Sequence, residues 1–277
     1  MKEFCKNILK KIGLYHFLQA NYRQFLFSIK KNISRIKYAQ FKGAGFECNC
    51  CGALYSKFIP DHPSAENAAA IVNNNVIAGY GENILCPNCL STARERLIIG
   101  LLQREIKIEN KKILHFSPEK NIYQFLKKKN EIITADIQPL FYKKIDGSIK
   151  TEDATALSFN DNSFDVVIGN HIMEHIPDDI KAMKEMYRVL QPGGRAILQI
   201  PYSTAIFKTI EIPDINDPEK QSELFGQKDH VRIYKLQDYI TRLEESGFKV
   251  KEILYEEMTV LYKYAIQPNE VFLSILK

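Results

Sequence analysis

The fold is decided between Glu152 and Gly194. That stretch reads Glu152-Asp153-Ala154-Thr-Ala-Leu-Ser-Phe159, then Asp161-Asn-Ser-Phe-Asp165, then Val-Val-Ile-Gly169-Asn170-His171-Ile-Met-Glu174-His175, and ends in Arg188-Val-Leu-Gln-Pro-Gly-Gly194. Residues 164–169 form a short apolar run bounded by turn residues, the mark of a buried strand. Residues 178–190 read as a helix, stopped by Pro192-Gly193-Gly194, and 195–200 as the next strand. The same alternation extends outward on both sides. Strands are expected at 112–116, 132–135 (ending at Asp136), 249–255 and 271–276, with helices at 92–106, 121–129 and 236–246. Alternation of this kind argues for an α/β fold with a doubly wound, mostly parallel sheet.

Apolar residues make up 45% of the 277, enough to build a real core. Charge is unevenly spread. Residues 1–42 carry ten Lys/Arg against one acid, a net of +9, whereas the remainder carries 28 against 32, a net of −4. The basic character therefore belongs to the leader. Within the leader, Phe4, Ile8, Leu9, Ile12, Phe17, Leu18, Phe25, Leu26, Ile29, Ile33 and Ile36 recur at roughly helical intervals, which predicts amphipathic basic helices with a break at Gly13. Two readings stand for them: contact with a membrane surface or nucleic acid, or a helix packed on the domain with a solvated basic face. No run of uncharged apolar residues reaches the length of a transmembrane helix, and the first residues lack the apolar core of a signal peptide.

Residues 43–91 change character: Gly, Asn, Pro and Cys are frequent. Cys48-Asn-Cys50-Cys51 and Cys86-Pro-Asn-Cys89 form two C-x-x-C knuckles, with 34 residues separating Cys51 from Cys86. Each knuckle can offer two thiolates from one tight turn, the pattern of a closed tetrahedral zinc site built from Cys48, Cys51, Cys86 and Cys89. Cys50 stands as a substitute for Cys48, and unligated thiols are the plainer alternative. Cys5 is remote from both clusters. Clustered cysteines of this spacing fit a reducing, cytoplasmic compartment better than a disulfide framework. The domain reading is a helical leader (1–42), a zinc-binding module (43–91) and a main α/β domain (92–277).

In a doubly wound sheet, ligands bind outside the carboxyl ends of the strands. Here those ends carry His115-Phe116-Ser117-Pro-Glu119-Lys120, Asp136, and Asn170-His171. Taken in order, Asp153-Ala, Leu-Ser-Phe-x-Asp-Asn-Ser-Phe-Asp, Asn-His-x-x-Glu-His and Arg-Val-Leu-Gln-Pro-Gly-Gly resemble the class I S-adenosylmethionine-dependent methyltransferases (type 11-like) over about residues 112–277. A narrower resemblance, over about 45–277, is to a bacterial group with a Cys-rich N-terminal module. It rests on Cys86-Pro-x-Cys with Arg94 and Arg96, on Leu114-His-Phe-x-Pro-Glu119, and on Asp229-His-Val-Arg-x-Tyr234.

The resemblance implies a Rossmann-like seven-stranded sheet and S-adenosylmethionine as cofactor. Asp136 would take the ribose hydroxyls, and Asp153 with Ala154 the adenine. The turn of His115, Phe116, Ser117 and Glu119 would cradle the methionine part, and Asn170 and His171 would lie where cofactor and acceptor meet. This turn departs from the family's Gly-rich one, and the narrower group shares the departure. His171 and His230 are the candidate general bases, while His175 reads as structural. Residues 202–233 are long for a connection and read as a lid lined by Tyr202, Phe207, Phe225, His230 and Arg232.

A sugar, polysaccharide or small-molecule hydroxyl is the expected acceptor. An RNA or protein methyltransferase is the alternative, and a catalytically inactive binding protein a further one. His171-Ile-Met-Glu-His175 also matches a metallopeptidase string, and Ser117-Pro-Glu-Lys120 a β-lactamase one; neither has its companion motifs.

Overall fold

The computed structural model describes residues 14–277 except 105 and 107. Phe4, Cys5, Ile8, Leu9, Ile12 and Gly13, used above for the leader, lie outside the described residues. Seven strands form the main sheet: β1 (Lys112–Phe116), β2 (Glu131–Asp136), β3 (Lys150–Thr151), β4 (Phe164–Ile168), β5 (Leu190–Ile197), β6 (Lys249–Ile253) and β7 (Phe272–Leu276). Their spatial order is β6-β7-β5-β4-β1-β2-β3, and β7 runs antiparallel to both of its neighbours. The other pairings among β1 to β5 are parallel.

Apolar layers cover both faces. One packs helices α5 (Asp179–Val189) and α7 (Leu236–Glu245) through Met183, Met186, Tyr239 and Leu243. The other packs α3 (Ala93–Arg104) and α4 (Lys120–Leu126) through Leu97, Leu101, Ile122 and Leu126. The chain steps from β1 outward to β3 and then returns to β4 beside β1. A crevice opens at that switch point, outside the carboxyl ends of the strands.

The observed elements depart from expectation in instructive ways. β3 has two residues, both exposed, so no apolar run announced it. The helix expected over 121–129 ends at Leu126, where Asn130 Nδ2 donates to the Leu126 carbonyl at 2.9 Å. β5 pairs with β4 first at Leu190, breaks register across Pro192-Gly193-Gly194, and resumes at Arg195.

The cysteine region is two small hairpins. Lys42–Glu47 pairs with Leu54–Tyr55, and Ile59–Asp61 with Gly81–Leu85, each carrying a knuckle at its end. The intervening residues leave the hairpins altogether. Helix α2 (Ala65–Asn73) packs on α6 (Pro218–Phe225), and Val76–Ile77 pairs with Tyr202–Ser203. Tyr202–Ser203, Arg232–Lys235 and Ile210–Glu211 complete a four-stranded lid sheet with it. The long spacer between knuckles is therefore packed on the segment read above as a lid.

Arg96 joins this region to the main domain. Its fully buried guanidinium donates to the carbonyls of Ser91, Asn83, Ile84, Tyr264 and Ala265 at 2.6–3.1 Å and sits 4.7 Å from the centre of the Phe58 ring. The leader helix α1 (Leu14–Lys37) touches the body by polar contacts, Arg35 to the Asn88 carbonyl and Lys144 to Asn21 and Gln24. Its Phe25, Leu26, Phe27, Ile29, Ile33 and Ile36 stay exposed. No helix among the described residues is long and apolar enough to cross a membrane.

Candidate active site

The switch-point crevice encloses about 640 Å³ and is walled by Phe116, Ser117, Asp136, Asp153, Ala154 and His171, among others. Asp136 closes β2. Its Oδ2 accepts from the Ser117 hydroxyl at 2.6 Å and its Oδ1 from the Gln138 amide at 2.6 Å, so the carboxylate is held in one orientation. Asp153 Oδ1 accepts from the amide and hydroxyl of Thr155, both at 2.8 Å. The turn after β1 places Ser117 at φ 42°, a left-handed conformation that glycine adopts without strain. Serine holds it here while its hydroxyl is tied to Asp136, which explains how a Gly-poor turn keeps the tight path.

His115, Glu119 and Asn170, expected at the cofactor, do not line the crevice. They form a network behind the turn: His115 Nε2 lies 2.9 Å from Glu119 Oε2, and Asn170 Nδ2 donates to Glu119 Oε1 at 3.1 Å. Burial opposes ionisation of Glu119, but the bond and charge of His115, the charge of Arg94 and the bond from Asn170 together outweigh it and hold the carboxyl below its ordinary range. The network ties the turn after β1 to the end of β4.

A second cavity of about 260 Å³ adjoins the first and shares His171 and His175 with it. Its other walls come from three separated segments: Tyr80 and Val76 of the knuckle spacer, Arg94 of α3, and Phe225, His230 and Arg232 of the lid. Of the residues expected to line the lid, Tyr202 and Phe207 do not. Tyr202 is buried with its hydroxyl accepting from the Val271 amide at 2.8 Å, and Phe207 is 92% exposed.

Burial and the neighbouring Arg94, His230 and His175 hold His171 well below its ordinary pKa, so its ring is neutral. Burial and His175 lower His230 to about 3. His175 behaves oppositely: burial disfavours its charge, yet the bonds to Asp229 and the field of Glu174 raise it to about 9.

In the cysteine cluster, Cys48 Sγ lies 3.6 Å from Cys89 Sγ, and Cys51 Sγ 3.8 Å from Cys86 Sγ. Ligands about 2.3 Å from a tetrahedral centre stand about 3.8 Å apart, so the four sulfurs have the spacing a zinc ion requires. The Asn88 amide group and the Ser91 N–H reach Cys51 and Cys89 at 3.3 and 3.4 Å, as donors to thiolates would. Cys50 points to Asn49 Oδ1 and stays outside the set.

Residues 119–198 match the model of the methyltransferase domain. Over that stretch the chain is similar to a methyltransferase domain. Among curated relatives it is similar to a ubiquinone/menaquinone biosynthesis C-methyltransferase of Haemophilus ducreyi, 34% identical over 37% of this chain and 45% of that protein. It is also similar to a demethylmenaquinone methyltransferase of Staphylococcus epidermidis, 49% identical over 16% of this chain and 19% of that one. The chain spans about half the length of the curated relatives it matches over a sizeable stretch. Among solved structures, it is similar to an S-adenosylmethionine-dependent methyltransferase from Mesorhizobium loti, at 13% identity over 66% of this chain and 98% of that one, with a TM-score of 0.48.

Two buried acidic groups carried no sequence signal of their own: Glu174, which lines the second cavity, and Glu270, which does not. Glu174 was visible only as part of a peptidase-like string. Glu270 is buried beside Arg94, its Oε2 without a partner, and burial raises its carboxyl to about 7 against the opposing pull of Arg94.

The Glu270 carboxyl has a folded pKa above its unfolded value of about 4.3. It therefore stabilises fully below pH 4.3, and that stability is lost as pH rises through 7. Above pH 7 the loss is roughly 3 kcal/mol. Glu270→Gln is expected to raise the melting temperature at pH 8 by roughly 5–10 °C and leave it nearly unchanged at pH 4.5. An equal shift at both pH values in thermal melts would count against this account.

Proposed function

We propose that this chain is an S-adenosylmethionine-dependent methyltransferase that methylates a hydroxyl of a sugar, a polysaccharide end or another small polar molecule. One observation carries the reading: a nucleoside-sized crevice bordered by two carboxylates shares the His171 wall with a smaller polar cavity. Asp136 and Asp153 suit the ribose and adenine, with Ala154, Phe116 and Ser117 completing the cradle. When bound, S-adenosylmethionine supplies an electrophilic methyl group on its sulfonium. The protein's part is to hold the acceptor oxygen in line, exclude water, and accept the hydroxyl proton. His171, neutral and facing both cavities, is placed to take that proton; His230 is the other candidate.

The second cavity is at the small end for a ligand site. Its Arg94, Glu174, Tyr80 and His230 favour a polyhydroxyl group over a long apolar tail, and its small volume disfavours a folded polymer. The thiolate cluster fits structural zinc, which would fix the hairpins beside the lid. Exposed Phe25, Ile29, Ile33 and Ile36, with Lys30, Lys31 and Arg35 close by in sequence, support a working place at the cytoplasmic face of an anionic membrane.

Calorimetry is expected to show micromolar binding of S-adenosylmethionine. Labelled cofactor incubated with soluble, membrane, glycan and RNA fractions should pass methyl to a glycan or small-molecule fraction, more so in the presence of membranes. His171→Ala should slow transfer by roughly 10²–10⁴. Absent binding at millimolar cofactor would favour an inactive binding protein. Label entering RNA with a steep salt dependence would favour the polymer reading.

A further inference from the structure

After β4, Met173–His175 makes a single 3₁₀ turn that aims Glu174 inward. Glu174 is 1% exposed, yet its Oε2 has no hydrogen-bond partner. A buried carboxylate oxygen left unpaired is costly and marks a place where a ligand belongs. Its Oε1 lies 4.0 Å from His230 Nε2 and 3.7 Å from His171 Nδ1. One donor atom each from Glu174, His175 and His230 lies within 4.8 Å of the other two.

His230 is remote in sequence, and the fold fastens it there. The Val231 amide donates to the Glu174 carbonyl at 2.9 Å. Arg232, itself 1% exposed, donates to the carbonyls of Met173, Ile176 and Pro177 and so clamps the turn to the lid strand. The histidines are also oriented from behind. His175 Nδ1 lies 3.2 Å from the Asp229 carbonyl oxygen and 3.4 Å from its carboxylate, leaving Nε2 free. The Phe225 backbone carbonyl favours the charged form of His230. Metal-binding histidines are held in this manner, the second ring nitrogen donating to a carbonyl or carboxylate.

We propose that Glu174, His175 and His230 bind one divalent transition-metal cation on the wall of the second cavity. Two imidazoles and a carboxylate suit Mn²⁺, Fe²⁺, Co²⁺ or Zn²⁺, and three protein ligands leave coordination positions open for water or a ligand oxygen. The Asp229 carboxylate adds negative charge behind His175, against the positive Arg94 on the far side of the cavity. The site holds no sulfur and is distinct from the cysteine cluster. Cation binding is measured without cofactor, so it stands apart from the methyl-transfer reading.

The full chain, with zinc in its thiolate site, would be titrated with Co²⁺ alone under equilibrium dialysis and visible spectroscopy. One Co²⁺ per chain is expected, with a d–d band and no sulfur-to-metal charge-transfer band. Glu174→Gln and His230→Gln should each weaken that binding at least ten-fold with zinc content and melting temperature retained. If Glu174→Gln does not fold, His230→Gln alone decides. Co²⁺ that stays free at millimolar concentration, binds only with a thiolate spectrum, or binds both variants as well as the parent would overturn the proposal.

Discussion

Asp136→Ala is expected to weaken S-adenosylmethionine binding by roughly two to four orders of magnitude while the protein stays folded. The argument begins with the strand. β2 ends at Asp136, and two hydrogen bonds, from Ser117 and Gln138, hold its carboxylate at the crevice wall. A carboxylate that accepts from both hydroxyls of a ribose makes two charge-assisted bonds, each contributing about 1.5–3 kcal/mol. Losing both corresponds to roughly 10²–10⁴ in Kd. Asp136→Asn keeps the shape and loses the charge, so a smaller loss of roughly ten-fold is expected. Thermal melts should change little, because Asp136 lies at an open crevice and not in the core. An unchanged Kd for Asp136→Ala in calorimetry would remove the nucleoside reading of the crevice.

Removing metal from the cysteine cluster is expected to have the largest structural effect. Cys86→Ser, or prolonged chelation, should lose one zinc ion per chain by elemental analysis and unfold the two hairpins. Structural zinc sites contribute about 10–16 kcal/mol of binding energy, as much as the whole stability of an ordinary domain. The effect will not stay local. Arg96 takes three of its five carbonyl partners from residues 83, 84 and 91, so unfolding leaves a buried guanidinium partly unpaired. The spacer between the knuckles also supplies Val76 and Tyr80 to the second cavity. The melting temperature should therefore fall and methyl transfer should be lost, while S-adenosylmethionine still binds the crevice, none of whose walls come from the module. A metal-free protein with an unaltered melt and unaltered turnover would show that the cluster is not a structural zinc site.

Much of the fold was legible because local rules and tertiary demands agree. The apolar runs of β1 and β4 are buried on both faces, so their composition alone identifies them as central strands. Asp136 could be placed at a strand end because a parallel sheet gathers those ends on one side, whereas Asp153 was singled out by the family resemblance alone. The thiolate set was legible for a similar reason: a C-x-x-C turn is a local object, and its two ligands lie within one knuckle.

Other features had no local signature. β3 is set by the register of β2 and not by its own two exposed residues. His115 ends a strand but faces the interior, because side chains alternate across a strand and the sequence does not say which face its neighbours cover. The second cavity is tertiary throughout. Its walls come from residues near 76–80, 94, 171–175 and 225–233, which only a crossing of the knuckle spacer over the lid sheet brings together. The sequence by itself thus determined the central strands of the sheet, the acid that ends β2 and the pairing of cysteines within each knuckle, since each depends on periodicity or short spacing. Only the tertiary structure decided what lies opposite His171, since that depends on contacts between segments more than a hundred residues apart, for which backbone propensity carries no information.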